Sequence, residues 1–473
     1  MTRAAHHWSC FGPTDRRHWL RLGGLSLGAL TTGLNPTLNL LRAAERVGQA
    51  DRDFSVILFW ANGGPSHIDL FDLKPQAPLE IRGPFRPIPT SVPGIEITEA
   101  LPKLATLANR YTIVRSLHHE RLEHSGGTHR FLTGYSSRQA NLQDAESPEI
   151  GAIVAERLQR PDSQIPTFVA NTKLYGSGPG YLGPAYAPYM PNPNPQTSTG
   201  NNVYDPVPIY KTGSNEADVL GLTADGVATL RKRADLLDRL ETFRQDVDSQ
   251  GATAFQEYQR QAVTMLASPR TRDAFDLTRE PDATRRNYGD THFGRSLLTC
   301  RRLVEAGVRF VQCQANYRLR PETGRTSNWD DHSVNSHIFD AYQEKLPSLD
   351  QSMSALIADL YDRGLDGHVL FLFCGEFGRT PRIAYQDPSG RPGRDHWSRA
   401  MSVLLAGGGL RMGQVIGATN ARAEEPIDRA MDSNCLLATL YHRFGIDPTH
   451  HYHDQFGRPL PLLPQGEPIR ELV

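Results

Sequence analysis

Short apolar runs rich in β-branched residues recur along the chain and alternate with patterns typical of helices. The runs predict strands at 54–60, 111–117, 167–170, 308–315, 368–374 and 401–406. Several runs are apolar at nearly every position, which is typical of strands covered on both faces. Helical patterns are found at 147–159, 223–248, 293–306, 338–363 and 431–444. The alternation predicts a doubly wound α/β domain with a mostly parallel sheet.

Two segments interrupt this alternation. Residues 171–215 are rich in Pro, Gly, Asn and Tyr, which predicts a long irregular loop of the kind that serves as a lid or a partner surface. The charged pattern at about 223–266 predicts a helical insertion or a small cap. Apart from these two segments, we expect residues 51–473 to form a single domain.

The amino-terminal residues have the layout of a twin-arginine export signal. Arg16 and Arg17 precede a weakly apolar, glycine-rich stretch, and small residues follow at Ala43 and Ala44. This layout predicts that residues 1–44 are a signal and that the mature protein is periplasmic or extracellular. The apolar stretch is too short and too often broken by glycine to span a membrane, so we expect no transmembrane span after signal removal.

Composition narrows the classes of partner and of site. The chain has 51 basic and 52 acidic residues, so no overall field favours nucleic acid or a membrane surface. Its five cysteines have no C-x-x-C spacing, which excludes zinc-ribbon and thioredoxin-like sites. The 17 histidines are a large supply of the commonest protein metal ligand.

The stretch "ANGGPSHIDLFD" follows the first predicted strand and raises a choice between chemistry and structure. Gly63 and Gly64 favour a sharp turn that lets the backbone approach a site closely. In that interpretation Ser66 caps the next segment, and Asp69 or Asp72 holds the turn. The alternatives are Ser66 as a nucleophile and His67 as a metal ligand; we favour the turn.

Polar loops follow or precede four other predicted strands. Ligands of open α/β sheets bind beyond the carboxyl ends of the strands, so we expect these loops to meet. Their mixture of carboxylates and imidazoles suits a divalent metal ion such as Zn, Mn, Ca or Mg. The alternative is a set of hydrogen-bonded structural pairs. The residues concerned are His124 and Ser125, Asp330 and His332, Glu376 and Arg379, and Asp395 and His396.

The motifs "ILFWANGGPSHIDLFDLKP", "NWDDHS", "FCGEFGRTPRI" and "GRDHW", with the C-terminal "GATNARAEEP" and "DSNCLLATLYHRFGIDP", make the chain similar to the domain-of-unknown-function (DUF) 1501 family. The resemblance extends from about residue 14 to the end. These exported bacterial proteins resemble the alkaline phosphatase and sulfatase superfamily. The resemblance implies an alkaline-phosphatase-like three-layer α/β/α sandwich, one or two divalent metal ions, and cleavage of phosphate or sulfate esters.

Transferred to this sequence, the resemblance implies that five residues bind metal: Asp330, His332, Glu376, Asp395 and His396. Two positions depart from the superfamily pattern. Asn62 stands where the superfamily has a metal-binding Asp, and His124 replaces the cysteine of sulfatases before Leu132-Thr133-Gly134. The missing cysteine excludes a formylglycine sulfatase.

The catalytic candidates are Ser125, His124 and Arg379. Ser125 precedes a glycine pair and a helical run, so it is either a nucleophile at a helix N-terminus or an N-cap. His124 is either a metal ligand or a proton shuttle. Arg379 and Arg394 are either clamps for developing charge or partners of nearby carboxylates.

Two functions follow from these candidates. The first is an exported, metal-dependent hydrolase acting on a phosphate or sulfate ester, including esters on an extracellular polymer. The second is a non-catalytic exported binding or cell-envelope protein on the same fold, with 171–215 as its recognition surface.

Overall fold

The computed structural model describes residues 53–160, 163–191, 206–210, 268–324 and 328–473. The predicted signal at 1–44 and the predicted helical insertion at 223–266 lie outside these residues. The strands, in chain order, are β1 Ser55–Trp60, β2 Pro87–Pro89, β3 Glu96–Thr98, β4 Tyr111–His118, β5 Phe168–Ala170, β6 Phe310–Gln314, β7 Val369–Cys374, β8 Gly378–Arg379, β9 His396–Trp397, β10 Met401–Gly407, β11 Gln414–Ile416, β12 Ala418–Thr419, β13 Pro426–Asp428, β14 Met431–Asp432, β15 His451–His453 and β16 Pro459–Pro461.

The α-helices lie between and after these strands. In chain order they are α1 His67–Leu70, α2 Leu79–Arg82, α3 Pro102–Ala105, α4 His124–Thr133, α5 Ile150–Leu158, α6 Pro269–Phe275, α7 Asp282–Tyr288, α8 His292–Glu305, α9 Ile338–Asp362 and α10 Asn434–Phe444. None of the described helices has both the length and the apolar character that crossing a membrane requires. Asp53–Val473 forms one compact unit.

The central sheet has the order β11-β4-β10-β7-β1-β6-β5, and β14 also pairs with β4. Strand β1 runs parallel to β6 and β7, and β5 runs parallel to β6. Strand β10 is antiparallel to both of its neighbours, β4 and β7. The predicted mostly parallel sheet is therefore confirmed, with β10 as the exception. The chain reaches β10 through a segment that begins where β7 ends, so β10 starts at that edge and runs back.

Strand β1 shows why the sheet needs a layer of helices on each face. Ile57 and Phe59 belong to one buried apolar cluster, which includes residues of α8 and α9. Val56, Leu58 and Trp60 belong to a second cluster, which includes residues of α4, α5 and α10. Successive side chains of a strand point to opposite faces, so the two clusters flank the sheet. This arrangement is the expected three-layer α/β/α sandwich.

The described parts of the 171–215 segment follow β5, the strand at one edge of the central sheet. They contain the 3₁₀ helices Gly180–Leu182 and Pro184–Tyr186. Several glycines here have positive φ, and the backbone at Gly176 packs against the carbonyl of Ser125. The described part of this loop is therefore held against the start of α4.

Candidate metal centre

The turn after β1 brings two loops together through its glycines. Gly63 and Gly64 have φ values of +106° and +82°, a region that glycine tolerates and other residues rarely adopt. A Cβ atom at Gly63 would lie 2.4 Å from the backbone nitrogen of Asp330, and one at Gly64 would lie 2.6 Å from the ring of Phe377. The close backbone approach predicted for this turn is confirmed.

Four side chains from three loops converge beyond this turn. The Nε2 atoms of His332 and His396 lie 2.9 and 3.1 Å from Asp330 Oδ1. His124 Nε2 lies 3.3 Å from Asp330 Oδ2. The two imidazole nitrogens Nε2 of His332 and His396 are themselves 2.9 Å apart. One ligand atom each from His124, Asp330 and His396 lies within 4.8 Å of the other two.

The opposite ring nitrogens of His332 and His396 determine which protons these imidazoles carry. His332 Nδ1 lies 2.7 Å from Asp395 Oδ1, and His396 Nδ1 lies 2.7 Å from the carbonyl oxygen of Leu122. Carboxylate and carbonyl oxygens only accept, so both Nδ1 atoms are donors. When such a ring is neutral, its lone pair is on Nε2, the atom that faces Asp330, as in metal sites where a carboxylate orients a ligating histidine.

His124 is oriented in the same way by a carboxylate. Its Nδ1 lies 2.7 Å from Glu376 Oε1, which also accepts a 2.8 Å hydrogen bond from the backbone N–H of Gly63. Glu376 is fully buried, and its second oxygen Oε2 has no hydrogen-bond partner among the described residues. A buried carboxylate oxygen without a partner is costly unless a cation binds it.

The electrostatics of the cluster reflect this crowding. Burial lowers the pKa of His124, but hydrogen bonds to Asp330 and Glu376 outweigh burial and raise that pKa to about 9. Burial lowers the pKa of His396. Burial opposes ionisation of Asp330, yet Arg379 and the three imidazoles hold its pKa well below the usual range. Asp330 is thus the anion around which the cluster is organised.

Arg379 is committed to holding the loops. It is fully buried and pairs with Asp330 Oδ1 at 2.7 Å. It also donates to the carbonyl oxygens of Gly63, Gly64, Trp329 and Arg394. These contacts match the ion-pair alternative for Arg379. They join the β1 turn, the Asp330 loop and the segment before β9.

A model for the family described as "Protein of unknown function (DUF1501)" matches residues 53–473. The chain belongs to this family. A search of curated proteins found no match.

Similar solved structures are remote. The PsFucS1 sulfatase from Pseudoalteromonas sp. has a TM-score of 0.39 at 10% identity, covering 87% of this chain and 72% of that one. The phosphonate monoester hydrolase of Agrobacterium radiobacter has a TM-score of 0.37 at 12% identity, covering 88% and 78%. Ps i-CgsB in complex with k-i-k-neocarrahexaose has a TM-score of 0.33 at 13% identity, covering 84% and 72%. The first is a sulfatase and the second a phosphonate monoester hydrolase by description; similarity of this degree says nothing about the reaction of the DUF1501 chain.

Ser125 lies beside His124, but its hydroxyl points away from the cluster. Helix α4 begins at His124 with Glu123 as its N-cap, so Ser125 is not the N-cap. Its Oγ donates to the carbonyl of Ala140 at 3.3 Å and accepts from the N–H of Leu142 at 2.8 Å. Among the described residues these are its side-chain hydrogen bonds, and they hold the 140–142 loop.

The remaining candidates of the β1 turn are structural. Ser66 Oγ donates to Asp69 Oδ2 at 2.5 Å, and Asp69 forms a buried ion pair with Arg394 at 2.8 Å. His67 Nε2 lies 2.9 Å from the carbonyl of Ala423. Burial lowers the pKa of His67. The contacts of His67 and Asp69 match the turn interpretation, and Ser66 is the N-cap of α1 by position but makes no side-chain capping hydrogen bond.

The structure also assigns tasks that sequence reasoning missed. Glu376 and Asp395, predicted as ligands, contact the Nδ1 atoms of His124 and His332, and Asp395 Oδ2 accepts from Gln386. Of the four carboxylate oxygens of Glu376 and Asp395, only Glu376 Oε2 has no hydrogen-bond partner among the described residues. The ring of Phe377 packs 4.5 Å from that of His396 and 5.4 Å from that of His124. No sequence motif predicts this packing, because Phe377 cannot be distinguished in the sequence from an apolar residue of the hydrophobic core.

Proposed function

We propose that this DUF1501 protein binds a divalent transition-metal ion through His124, His332, His396 and Asp330, and that it hydrolyses phosphate or sulfate esters. The observation that carries the proposal is the convergence of three imidazole Nε2 atoms on one ionised carboxylate. Each ring faces an oxygen acceptor through Nδ1, so its Nε2 can bind a cation once any proton on that atom is released.

The ligand set favours some metals over others. Three imidazoles with one carboxylate suit Zn²⁺ and related transition metals, whereas Ca²⁺ and Mg²⁺ prefer sites made of oxygen atoms. Of the metals expected from the sequence, we therefore favour Zn and Mn. The unpartnered Oε2 of Glu376 supports the presence of a cation next to His124.

A bound divalent ion supplies Lewis acidity and lowers the pKa of water near neutrality. The protein's residues supply orientation. Asp395, Leu122 and Glu376 fix the three imidazole rings, and the buried ring of Phe377 packs beside those of His124 and His396. Because the Ser125 hydroxyl is committed to the 140–142 loop, we propose that water is the nucleophile.

The substrate class rests on the resemblance of the motifs to the alkaline phosphatase and sulfatase superfamily. The Ps i-CgsB neighbour was solved with a neocarrahexaose, and an ester on an extracellular polymer is our proposal for this chain. Export through the Arg16–Arg17 signal, to the periplasm or beyond, belongs to the same proposal.

A non-catalytic binding protein is the second candidate, and one observation favours it. Arg379 and Arg394, the expected clamps for developing charge, are both fully buried and bonded to carboxylates and carbonyls. An esterase of this kind then relies on the metal and on backbone groups for charge stabilisation.

Turnover separates the two candidates. The mature protein, loaded with Zn²⁺ or Mn²⁺, is assayed with aryl phosphate, aryl phosphonate and aryl sulfate esters. The hydrolase account expects turnover of at least one ester, lost in Asp330→Ala and kept in His442→Ala, whose histidine is exposed on α10. A folded, metal-loaded protein that cleaves none of them favours the binding protein.

A further inference from the structure

A cavity separate from the metal cluster lies at the β5 side of the sheet, beneath the 171–191 loop. It has a volume of about 360 Å³ and is lined by Glu149, Gln312, Lys173, Ala187 and Met190, with several prolines and glycines. Gln312 belongs to β6, and Glu149 is the N-cap of α5. This cavity shares no lining residue with the metal cluster.

Two buried side chains at this cavity lack hydrogen-bond partners. Glu149 and Gln312 are each 1% exposed. Among the described residues, no hydrogen bond of good geometry reaches either carboxylate oxygen of Glu149 or either amide atom of Gln312. Gln312, Ser177 and the backbone of Gly178 do lie close enough to Glu149 to act on its pKa, and the Ser177 hydroxyl donates to the carbonyl of Leu174 at 3.0 Å. Native proteins rarely leave four buried polar atoms unpaired, so each needs an explanation.

The chemistry of the unpaired atoms indicates what they bind. Gln312 offers one donor group and one acceptor. Burial raises the pKa of Glu149 to about 8, against the opposing effects of Ser177 and Lys173, so near neutral pH its carboxyl both donates and accepts. A ligand that both donates and accepts satisfies this set, as hydroxyl groups do. An ammonium ion only donates and leaves the Gln312 amide N–H groups unpaired.

We propose that the cavity beneath the 171–191 loop binds a polyhydroxylated ligand, of the size of one monosaccharide, through Glu149 and Gln312. The apolar and proline-rich walls then contact the ligand's C–H faces, and a volume of this size is within the range of small-molecule pockets. The site goes beyond the proposed hydrolase function and does not depend on it.

The loop that covers the cavity also packs against α4, the helix that carries His124. The N–H of Glu149 donates to the carbonyl of Gly178 at 3.0 Å. The backbone at Gly176 is so close to the Ser125 carbonyl that an added Cβ would lie 2.1 Å from it. Ser125 follows His124 in α4, so a ligand in the cavity lies under a loop that packs on the helix carrying a metal ligand.

Binding is tested on the full-length mature protein in EDTA, so that the result is independent of the metal site. D-glucose, D-galactose and myo-inositol are titrated by calorimetry and saturation-transfer NMR, with cyclohexylammonium as the cationic probe. We expect saturable binding of at least one polyol, in the millimolar range typical of a single small unit. If the protein binds none of these polyols, or binds cyclohexylammonium more tightly than any of them, the proposal is overturned.

Variants place the binding in this cavity. Glu149→Leu and Gln312→Leu each remove unpaired polar atoms, so we expect them to fold with an unchanged or higher Tm and to weaken polyol binding at least tenfold. Ala187→Trp fills the cavity without altering either polar residue and has the same expected effect on binding. Glu425→Leu, at an exposed glutamate, is the matched control. Binding that persists in all three cavity variants overturns the proposal.

Discussion

The Nε2 atoms of His332 and His396 lie 2.9 Å apart, while both Nδ1 atoms donate to oxygen acceptors. Two neutral imidazoles in these tautomers direct lone pairs at each other and at Asp330. The contact is stable only if a proton or a metal ion lies among the three groups. The predictions below follow from the metal alternative and from the loops that hold these residues.

Asp395 fixes the ring of His332 without occupying the cluster itself. We expect Asp395→Asn to lower metal affinity about 10- to 100-fold while binding remains measurable, because partners of ligating imidazoles typically contribute that much. Competition with a fluorescent chelator gives the affinity. Asp340→Asn, at an exposed carboxylate beside His337, is the matched control. An unchanged affinity in Asp395→Asn would mean that His332 is not a ligand.

A comparison of Gly63 with Gly94 separates the cost of a positive φ from the cost of a clash between a new Cβ atom and neighbouring backbone. Gly63→Ala places a Cβ atom 2.4 Å from the Asp330 nitrogen, whereas Gly94, with a φ of +85°, has nothing within 4 Å. We expect Gly94→Ala to lower the free energy of unfolding by about 1–2 kcal/mol through its backbone conformation alone. Gly63→Ala is expected to cost more and to lose metal, as Asp330 must move. Urea unfolding and metal content measure both, and equal effects of the two variants contradict this account.

The metal-free and metal-loaded proteins are expected to have opposite pH dependence. The pKa of His124 is raised to about 9 from about 6.5 in the unfolded chain. The stability that its charge confers on the metal-free protein is therefore present below pH 6.5 and lost as pH rises through 9. A metal competes with the same proton, so stabilisation by metal grows over that range.

Thermal melts with EDTA or Zn²⁺, between pH 6.5 and 9, measure both trends. The raised pKa of Glu149, about 8, also lowers stability as pH rises from about 4.5, its unfolded value, to 8. His124→Gln should therefore flatten the metal-free profile only in part below pH 8 and almost fully above it. A metal-free protein whose stability rises between pH 7 and 9 is incompatible with a protonated His124.

Arg379 is expected to be required for stability as well as for the site. Arg379→Met leaves Asp330 and several carbonyl oxygens buried without their donor. Breaking such a buried pair typically costs about 3–5 kcal/mol. Arg458→Met, at an exposed arginine that pairs with Asp454, is expected to cost less than about 1 kcal/mol. Comparable urea midpoints for the two variants would show that Arg379 does not hold the loops.

The fold was largely predictable because its signals are local. The six apolar runs all contain strands of the central sheet, and four predicted helices correspond to α5, α8, α9 and α10. The prediction at 431–444 was too long, because Met431–Asp432 pairs with β4 before α10 begins at Asn434. The antiparallel β10 was not predicted, since strand direction depends on where the preceding loop lies and not on the strand's own residues.

The meeting of the polar loops was predictable from the sequence, but the contacts of their side chains were not. Asp330, His332 and His396 were expected to meet, and they do. Which side chains face the metal depends on hydrogen bonding. From sequence alone, a carboxylate and an imidazole that bind a metal cannot be told from a pair that bind each other. The commitment of Ser125 to Leu142 and of Arg379 to backbone carbonyls depends on contacts between distant segments, which spacing alone does not reveal.

Elemental analysis of the purified protein tests the central claim most directly. The wild type is compared with His124→Ala, His332→Ala and His442→Ala, the last at an exposed histidine. We predict at least one equivalent of a transition metal, such as Zn or Mn, in the wild type and His442→Ala, and a loss of at least one equivalent in each of the other two variants. A folded wild-type protein that retains no stoichiometric metal, even after incubation with Zn²⁺ and Mn²⁺, would contradict the account.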